Sequence, residues 1–394
     1  MRVLQFGRFW NDEHGGVERH AALLSRGLAA RGVDVVNLVS ALPGRPGSDT
    51  RHEDGYRLIQ IPSHGVVAST ALAPGLPLKA FALHREEPFD IFHLHLPDPL
   101  SHFTSMLLPS KVPRVLTWHS DIIRQKRLLA LYMPWMRREI RAAGAVVAGT
   151  AAHFTSSTQI PADYPASRKH VIPYGMDYSQ LTLTDAGRQK QLEIRQRAAG
   201  RPVLFALGRH VYYKGFEVLI EAMQQTDAVL FLGGSGPLAD SHRALATALG
   251  VADRVIFTGR IPEDDLPAYF SACDIFCLPS VEQSEAFGLV QLEAMACGKP
   301  VVASQLHNGV NVVNLDGITG IAVPPRDASA LAAALRGLLE NPQRMALLGT
   351  QAKDRALQHY SLDGMARMTV ALYQDLISAG GKQRTGQAVP SADR

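Results

Sequence analysis

Two glutamates eight positions apart, Glu285 and Glu293, carry the densest chemical signal in the chain. They lie in the run from Ser284 to Gly298, where a short apolar strand pattern over Asp274–Leu278 has given way to a helical one. Glu285 therefore falls in a strand-to-helix turn and Glu293 inside the helix. Such turns stand at the carboxyl edge of an open α/β sheet, where ligands bind. Backbone N–H groups around Phe287, Gly288 and Leu289 would sit at the positive end of the helix and suit a phosphate. One carboxylate is then placed at the reacting end of a phosphorylated ligand and the other further along it. The competing reading is a surface helix with two solvated acids.

The elements that must position this pair follow from the rest of the pattern. In the first half, strand-like runs at Arg2–Phe6, Val33–Val39, Asp90–His95, Arg114–Trp118 and Ala145–Ala148 alternate with helical ones, the first from about Gly16 to Arg31. The second half repeats the alternation from Pro202 to Val323, after a polar stretch between Met176 and Arg201. Parallel sheets covered by helices on both faces are expected, in two domains. The expected limits are 1–180 and 181–360, then an amphipathic helix over 361–379 and a small, polar, disordered tail over 380–394.

With 394 residues, 46% hydrophobic and 19% charged, the chain is large enough for two globular domains. The opening run is apolar too briefly for a signal peptide, and no stretch of about 18 apolar residues could span a bilayer, so a cytoplasmic location is expected. Three cysteines, Cys273, Cys277 and Cys297, argue against a disulfide framework, and the Cys273/Cys277 spacing fits core packing better than zinc. Net charge is +4, and residues 121–141 alone carry that excess.

Further constellations surround the glutamates. Arg209 and Lys214 share a loop after the first strand of the second domain, where a planar fork and a mobile point charge would both reach a diphosphate. Gly234 lies in a glycine loop after the next strand, and Arg260 in the loop after the one following. In the first domain Gly15 and Gly16 link the first strand to the first helix and would let backbone approach an anion. His119 ends a strand. His93 and His95 alternate along another and so point one way, yet no third ligand at suitable spacing accompanies them, and no metal site is expected. An Asp-x-Asp pair, which could hold a diphosphate through a cation, is absent. Arg124, Lys126 and Arg127 open a basic segment interleaved with Leu128, Leu131, Tyr132, Trp135 and Met136, as an interfacial helix requires. A solvated helix face is the alternative there.

The string from Ser284 to Gly298, taken whole, resembles the signature of the retaining glycosyltransferases of family four. That resemblance covers the chain to about residue 378. It implies the GT-B fold: two Rossmann-like, doubly wound parallel-sheet domains with an interdomain cleft, and a C-terminal helix crossing back to the first. It implies a donor site of Arg209, Lys214, Gly234, Arg260, Phe287, Gly288, Leu289 and Glu293, with Glu285 and His119 at the sugar and Gly16 capping the phosphates. Gly15, Arg124, Lys126 and Arg127 would serve the acceptor or a membrane. The runs His119–Lys126 and Val171–Asp177 look most like the mannosyl- and rhamnosyltransferases of bacterial surface-polysaccharide assembly.

Metal-independent, retaining transfer of a hexose from a nucleotide diphosphate sugar such as GDP-mannose is therefore expected, with no further cofactor. The expected partners are a polyprenyl-linked glycan and the cytoplasmic membrane surface, at which the protein would be peripheral; nucleic acid is not expected. A same-fold transferase with a soluble acceptor and a GT-B nucleotide-sugar epimerase are the alternatives.

Overall fold

A computed structural model describes residues 1–10, 15–52, 54–68, 70–122 and 126–385, the side chains of 126 and 380–385 excepted. Contacts divide the chain into two units, Met1–Gly175 with the segment from Leu362 onward, and Met176–Ser361.

In the first unit the order is β1 (Arg2–Phe9), α1 (Gly16–Ala29), β2 (Asp34–Ser40), β3 (Ser48–Arg51), β4 (Arg57–Ile61), β5 (Val66–Val67), β6 (Thr70–Ala71) and α2 (Gly75–Glu86). There follow β7 (Ile91–Leu96), α3 (Pro99–Met106), β8 (Arg114–Trp118), α4 (Lys126–Ala142), β9 (Ala145–Ala148), α5 (Ala151–Ser156) and β10 (Lys169–Val171). Eight strands form one sheet in the order β10-β9-β8-β7-β1-β2-β4-β3, and all but β3 pair in parallel. Central strands such as β7 and β8 are buried along their whole length, as a parallel sheet covered on both faces demands. One apolar cluster, with Leu4, Leu94, Trp118 and Met136, covers one face, and a second, with Val3, Leu24, Val115 and Tyr373, covers the other.

The second unit runs α6 (Asp185–Arg197), β11 (Val203–Leu207), α7 (Phe216–Ala222), β12 (Val229–Gly233), α8 (Ala239–Ala248), β13 (Val255–Gly259), α9 (Leu266–Ala272) and β14 (Ile275–Leu278). It ends with α10 (Leu289–Ala296), β15 (Val301–Ser304), α11 (Gly309–Val313), β16 (Gly320–Val323), α12 (Ala328–Leu339) and α13 (Pro342–His359). Its six strands are all parallel, ordered β13-β12-β11-β14-β15-β16. Cys273 and Cys277 are buried in this unit, and burial pushes the Cys273 thiol up to about 12.

The last helix, α14 (Leu362–Thr385), belongs to the first unit. Met365, Leu372 and Tyr373 join the apolar cluster that also holds Leu24 and Leu28 of α1. The change of unit falls at 175/176, five residues before the expected 180/181. Met176 N–H donates to Tyr360 O at 2.9 Å, and Met176 also bridges to Ser361, tying it to the second unit. Helix α14 runs six residues past the expected 379, through the helix-forming Lys382, Gln383 and Arg384. The rest of the expected tail, 386–394, lies outside the described residues.

Candidate active site

In the second sheet the strand order reverses between β11 and β14, the switch point at which open α/β sheets hold their ligands. The two loops that carry charge leave the carboxyl ends of these two strands. After β11 come Arg209, a 3-10 turn over Tyr212–Lys214 and then α7; after β14 come Ser280, Glu285 and α10. The loops are stitched together by Val281 N–H, which donates to Tyr213 O at 2.8 Å. That stitch brings Lys214 Nζ to 2.5 Å from Glu285 Oε2, with the two side chains 12% and 10% exposed. Ser280 Oγ donates to the same carboxylate oxygen at 2.9 Å, and Asn308 Nδ2 donates to the Glu285 carbonyl at 2.9 Å.

Burial alone would pull the Lys214 ammonium below the ordinary lysine range, but the Glu285 carboxylate facing it outweighs that, and its pKa stands above the usual value. Lys214 is therefore a held, permanently charged cation at the switch point. An anionic ligand arriving there competes with Glu285 for it.

Helix α10 opens on Gly288, which adopts a left-handed φ of 69° and is capped by no side chain. A Cβ at Gly288 would come within 2.7 Å of Leu278 Cδ2, so only glycine lets the chain turn here. With no side-chain cap, the first amides of α10, from Leu289 on, keep the anion-binding character of a helix N-terminus. Phe287 is buried with its ring edge-on to Tyr360, centroids 5.9 Å apart. Glu293 is buried within α10; the Tyr178 phenol is pushed up first by burial and then by the Glu293 charge.

Gly234 follows β12 with φ 114°, and a Cβ there would lie 1.9 Å from Gly208 O. The glycine loop thus packs backbone on backbone against the Arg209 loop, with Gly208 N–H donating to Gly233 O at 3.1 Å. Arg209 and Arg260 are exposed, each at the carboxyl end of its strand.

The first sheet has its own reversal, between β1 and β7. Gly15, with φ 110°, is the N-cap of α1 and Gly16 its first residue. His119 stands one residue beyond β8 and is buried. Its Nε2 is 3.0 Å from His95 Nδ1 and its Nδ1 is 3.2 Å from the Tyr174 hydroxyl. Both ring nitrogens are thus engaged inside the unit, and a sugar reaching this ring would have to take over one of those bonds.

His93 and His95 do share one face of β7, stacked 4.9 Å apart, but their partners differ. His93 bonds Tyr373 and, at 2.7 Å, Thr117 Oγ1. A third imidazole that sequence spacing did not reveal lies beside His95: His20 of α1 packs on His95 and His119 with ring centroids 5.5 and 5.1 Å away. His20, His95 and His119 offer ligand atoms all within 4.8 Å of one another, the one such group of three found among the described residues. Burial holds all three pKa values well below the usual imidazole range, that of His95 at about 3. Sequence spacing missed His20 because the packing of α1 on the sheet, not chain proximity, sets it against His95 and His119. The trace it leaves is a histidine on the buried stripe of α1 beside Ala21 and Leu24.

Arg124 lies outside the described residues; Lys126 begins α4, and Arg127 is exposed. On α4, Leu128, Leu131 and Trp135 are 52%, 75% and 56% exposed. Tyr132 and Met136, read from the sequence with that face, instead join the domain core, because they fall on the stripe shared with Ile140. No described helix is long and apolar enough to cross a membrane.

Comparison with known proteins gives the family and the fold. Residues 14–180 match the model for glycosyltransferase family 4, and 187–355 that for glycosyl transferases group 1. The chain is 33% identical over 364 residues to a D-rhamnosyltransferase, WbpZ, of Pseudomonas aeruginosa, covering 92% of each chain. It is 28% identical over 382 residues to the O-antigen chain mannosyltransferase C of Escherichia coli, covering 96% of this chain and 100% of the other. Among solved structures, sucrose-phosphate synthase from Thermosynechococcus elongatus superposes with a TM-score of 0.81 at 24% identity, covering 96% of this chain and 99% of that one. A charged switch point on a doubly wound sheet, in a two-unit chain matched along its length, makes this protein a GT-B glycosyltransferase of the family-4/group-1 type.

Proposed function

We propose that the protein transfers a mannose- or rhamnose-type hexose, with retained anomeric configuration, from a nucleotide diphosphate sugar to a polyprenyl-linked glycan at the inner face of the plasma membrane. The observation that carries this reading is the Lys214–Glu285 pair beside the uncapped start of α10. The two relatives, which act as a rhamnosyltransferase and an O-antigen chain mannosyltransferase, support the sugar type and the surface-glycan setting. The outward face of α4, with Leu128, Leu131 and Trp135 beside Arg127, supports the membrane.

Departure of the diphosphate is the hard step. Lys214 and Arg209 neutralise the charge that develops on it, and the amides from Leu289 on receive a phosphate oxygen. These groups take the place of a divalent cation on the diphosphate, and no further cofactor is needed. Glu293 binds the ribose, Arg260 and Gly234 border the nucleotide, and Glu285, freed of Lys214 when the diphosphate takes it over, accepts from sugar hydroxyls. Gly16 caps the phosphates and His119 meets the sugar near its reacting carbon. The acceptor oxygen attacks the anomeric carbon on the face the phosphate leaves; its proton passes to the departing phosphate oxygen, giving glycoside and free nucleoside diphosphate.

The test begins with a thermal-shift screen of nucleotide sugars, followed by transfer from the stabilising donor to lipid-linked and soluble acceptors, the anomeric configuration being read by proton NMR. A product of inverted configuration would overturn the retaining mechanism. Free nucleotide with no glycosylated product would favour an epimerase, and equal rates with both acceptors would remove the lipid assignment.

A further inference from the structure

We propose that His20, His95 and His119 form a binding site for a borderline transition-metal dication, for which Co²⁺ and Zn²⁺ are the probes. The three side chains come from α1, β7 and the residue after β8, so the fold of the first unit alone assembles them. Their rings lie 5.1–5.5 Å apart, centroid to centroid, and each offers a nitrogen within 4.8 Å of the other two. A ring nitrogen of this group, His20 Nδ1, is buried without a hydrogen-bond partner among the described residues. A buried polar atom left unpaired is costly, so an imidazole that leaves one beside two others is poorly explained as packing alone.

Imidazole nitrogens prefer Zn²⁺, Co²⁺ or Ni²⁺ to the hard Mg²⁺. Tetrahedral zinc, with bonds of about 2.0–2.1 Å, sets its ligand nitrogens roughly 3.3 Å apart. His95 Nδ1 and His119 Nε2 stand at 3.0 Å, close to that figure, so the largest adjustment is a swing of His20 toward them by up to about 1.5 Å. Of the two facing nitrogens one carries the proton they share. A cation entering between them displaces that proton to the other nitrogen of the same ring, His95 Nε2 or His119 Nδ1, with no change in net ring charge. His119 Nδ1 already faces the Tyr174 hydroxyl at 3.2 Å, the outer-shell partner that a ligating histidine uses to fix its tautomer. Three imidazoles leave a fourth position for water.

Filling the site immobilises His119 and so inhibits transfer. That consequence rests on the role given to His119 above; the binding itself does not.

The metal-stripped full chain is titrated with Co²⁺ and followed by visible absorption. One equivalent giving the ligand-field bands of a four- or five-coordinate centre, displaced by Zn²⁺ and untouched by Mg²⁺, is expected. His20→Gln and His95→Gln should each weaken binding at least about tenfold. Absence of such bands in the wild-type protein, which needs no variant to fold, overturns the site, as does wild-type affinity in both variants. Transfer by the wild type should fall with the same Zn²⁺ dependence as cobalt displacement. Zinc bound with transfer unchanged overturns the inhibition, whereas a metal-free enzyme that transfers no sugar counts against the proposed function and leaves the spectrum to judge the site.

Discussion

Removing Lys214 tests the switch-point chemistry most directly, provided its two effects are separated. Its ammonium stands 2.5 Å from a Glu285 carboxylate that is slightly more buried. Lys214→Ala therefore deletes a cation from the leaving-group site and also strands that carboxylate with the Ser280 hydroxyl for company. Loss of one preorganised contact to a developing charge costs about 3 kcal/mol, a hundredfold to thousandfold in kcat/KM. Leaving a buried ion-pair partner uncompensated costs a further 3 kcal/mol or so in stability, at the lower end of the range because about a tenth of each side chain meets solvent. For a unit of this size that is a fall of roughly 6–12 °C in Tm. Lys214→Ala/Glu285→Gln removes the stranded charge, so most of the lost stability should return while turnover stays low. Steady-state kinetics and calorimetry on both variants decide it. Turnover of Lys214→Ala within threefold of wild type refutes the catalytic role, and recovery of turnover along with stability in the double variant makes Lys214 a structural residue only.

Three further outcomes are expected. EDTA should leave transfer largely intact, because the leaving diphosphate is neutralised by side chains; complete loss, restored by Mg²⁺ or Mn²⁺, would defeat that assignment. Replacing Arg127, Leu131 and Trp135 by Ser should release the protein from anionic vesicles and slow transfer to a lipid-linked acceptor more than to a soluble one, each basic residue contributing roughly 1 kcal/mol at such a surface; unchanged partitioning would reduce α4 to a solvated face. Acid should unfold the first unit early. The buried His20, His93, His95 and His119 all have folded pKa values well below an unfolded value near 6.5. The unfolded chain therefore binds more protons below pH 6.5, and stability is complete above that pH and falls as pH drops through it. At pH 5 each imidazole still neutral in the fold contributes about 2 kcal/mol of loss relative to pH 7.5. Urea unfolding in metal-free buffer at the two pH values checks this, and equal midpoints would show that the cluster stays solvated.

Legibility in the sequence follows the range of each interaction. Alternating strand and helix patterns, and the turn that holds Glu285, are set by residues within about a dozen positions of one another, and periodicity reads them well. The Lys214–Glu285 pair spans 71 residues, yet its two loops could be anticipated because both follow central strands, and a doubly wound sheet brings such loops to one edge. The histidines show where that reasoning stops. His20 and His119 lie 99 positions apart, and which inward-facing side chain of α1 lands over β7 and β8 depends on helix rotation, which periodicity fixes only to a face. The same ambiguity put Tyr132 and Met136 on the wrong side of α4, one helical step from Leu131 and Trp135. A sequence names a stripe; burial decides its edges. Where a stripe edge carries an apolar residue, that error changes only the account of packing. On α1 the buried stripe carries an imidazole, which the fold sets against two others, and so the group most able to hold a metal is the one that spacing alone could not assemble.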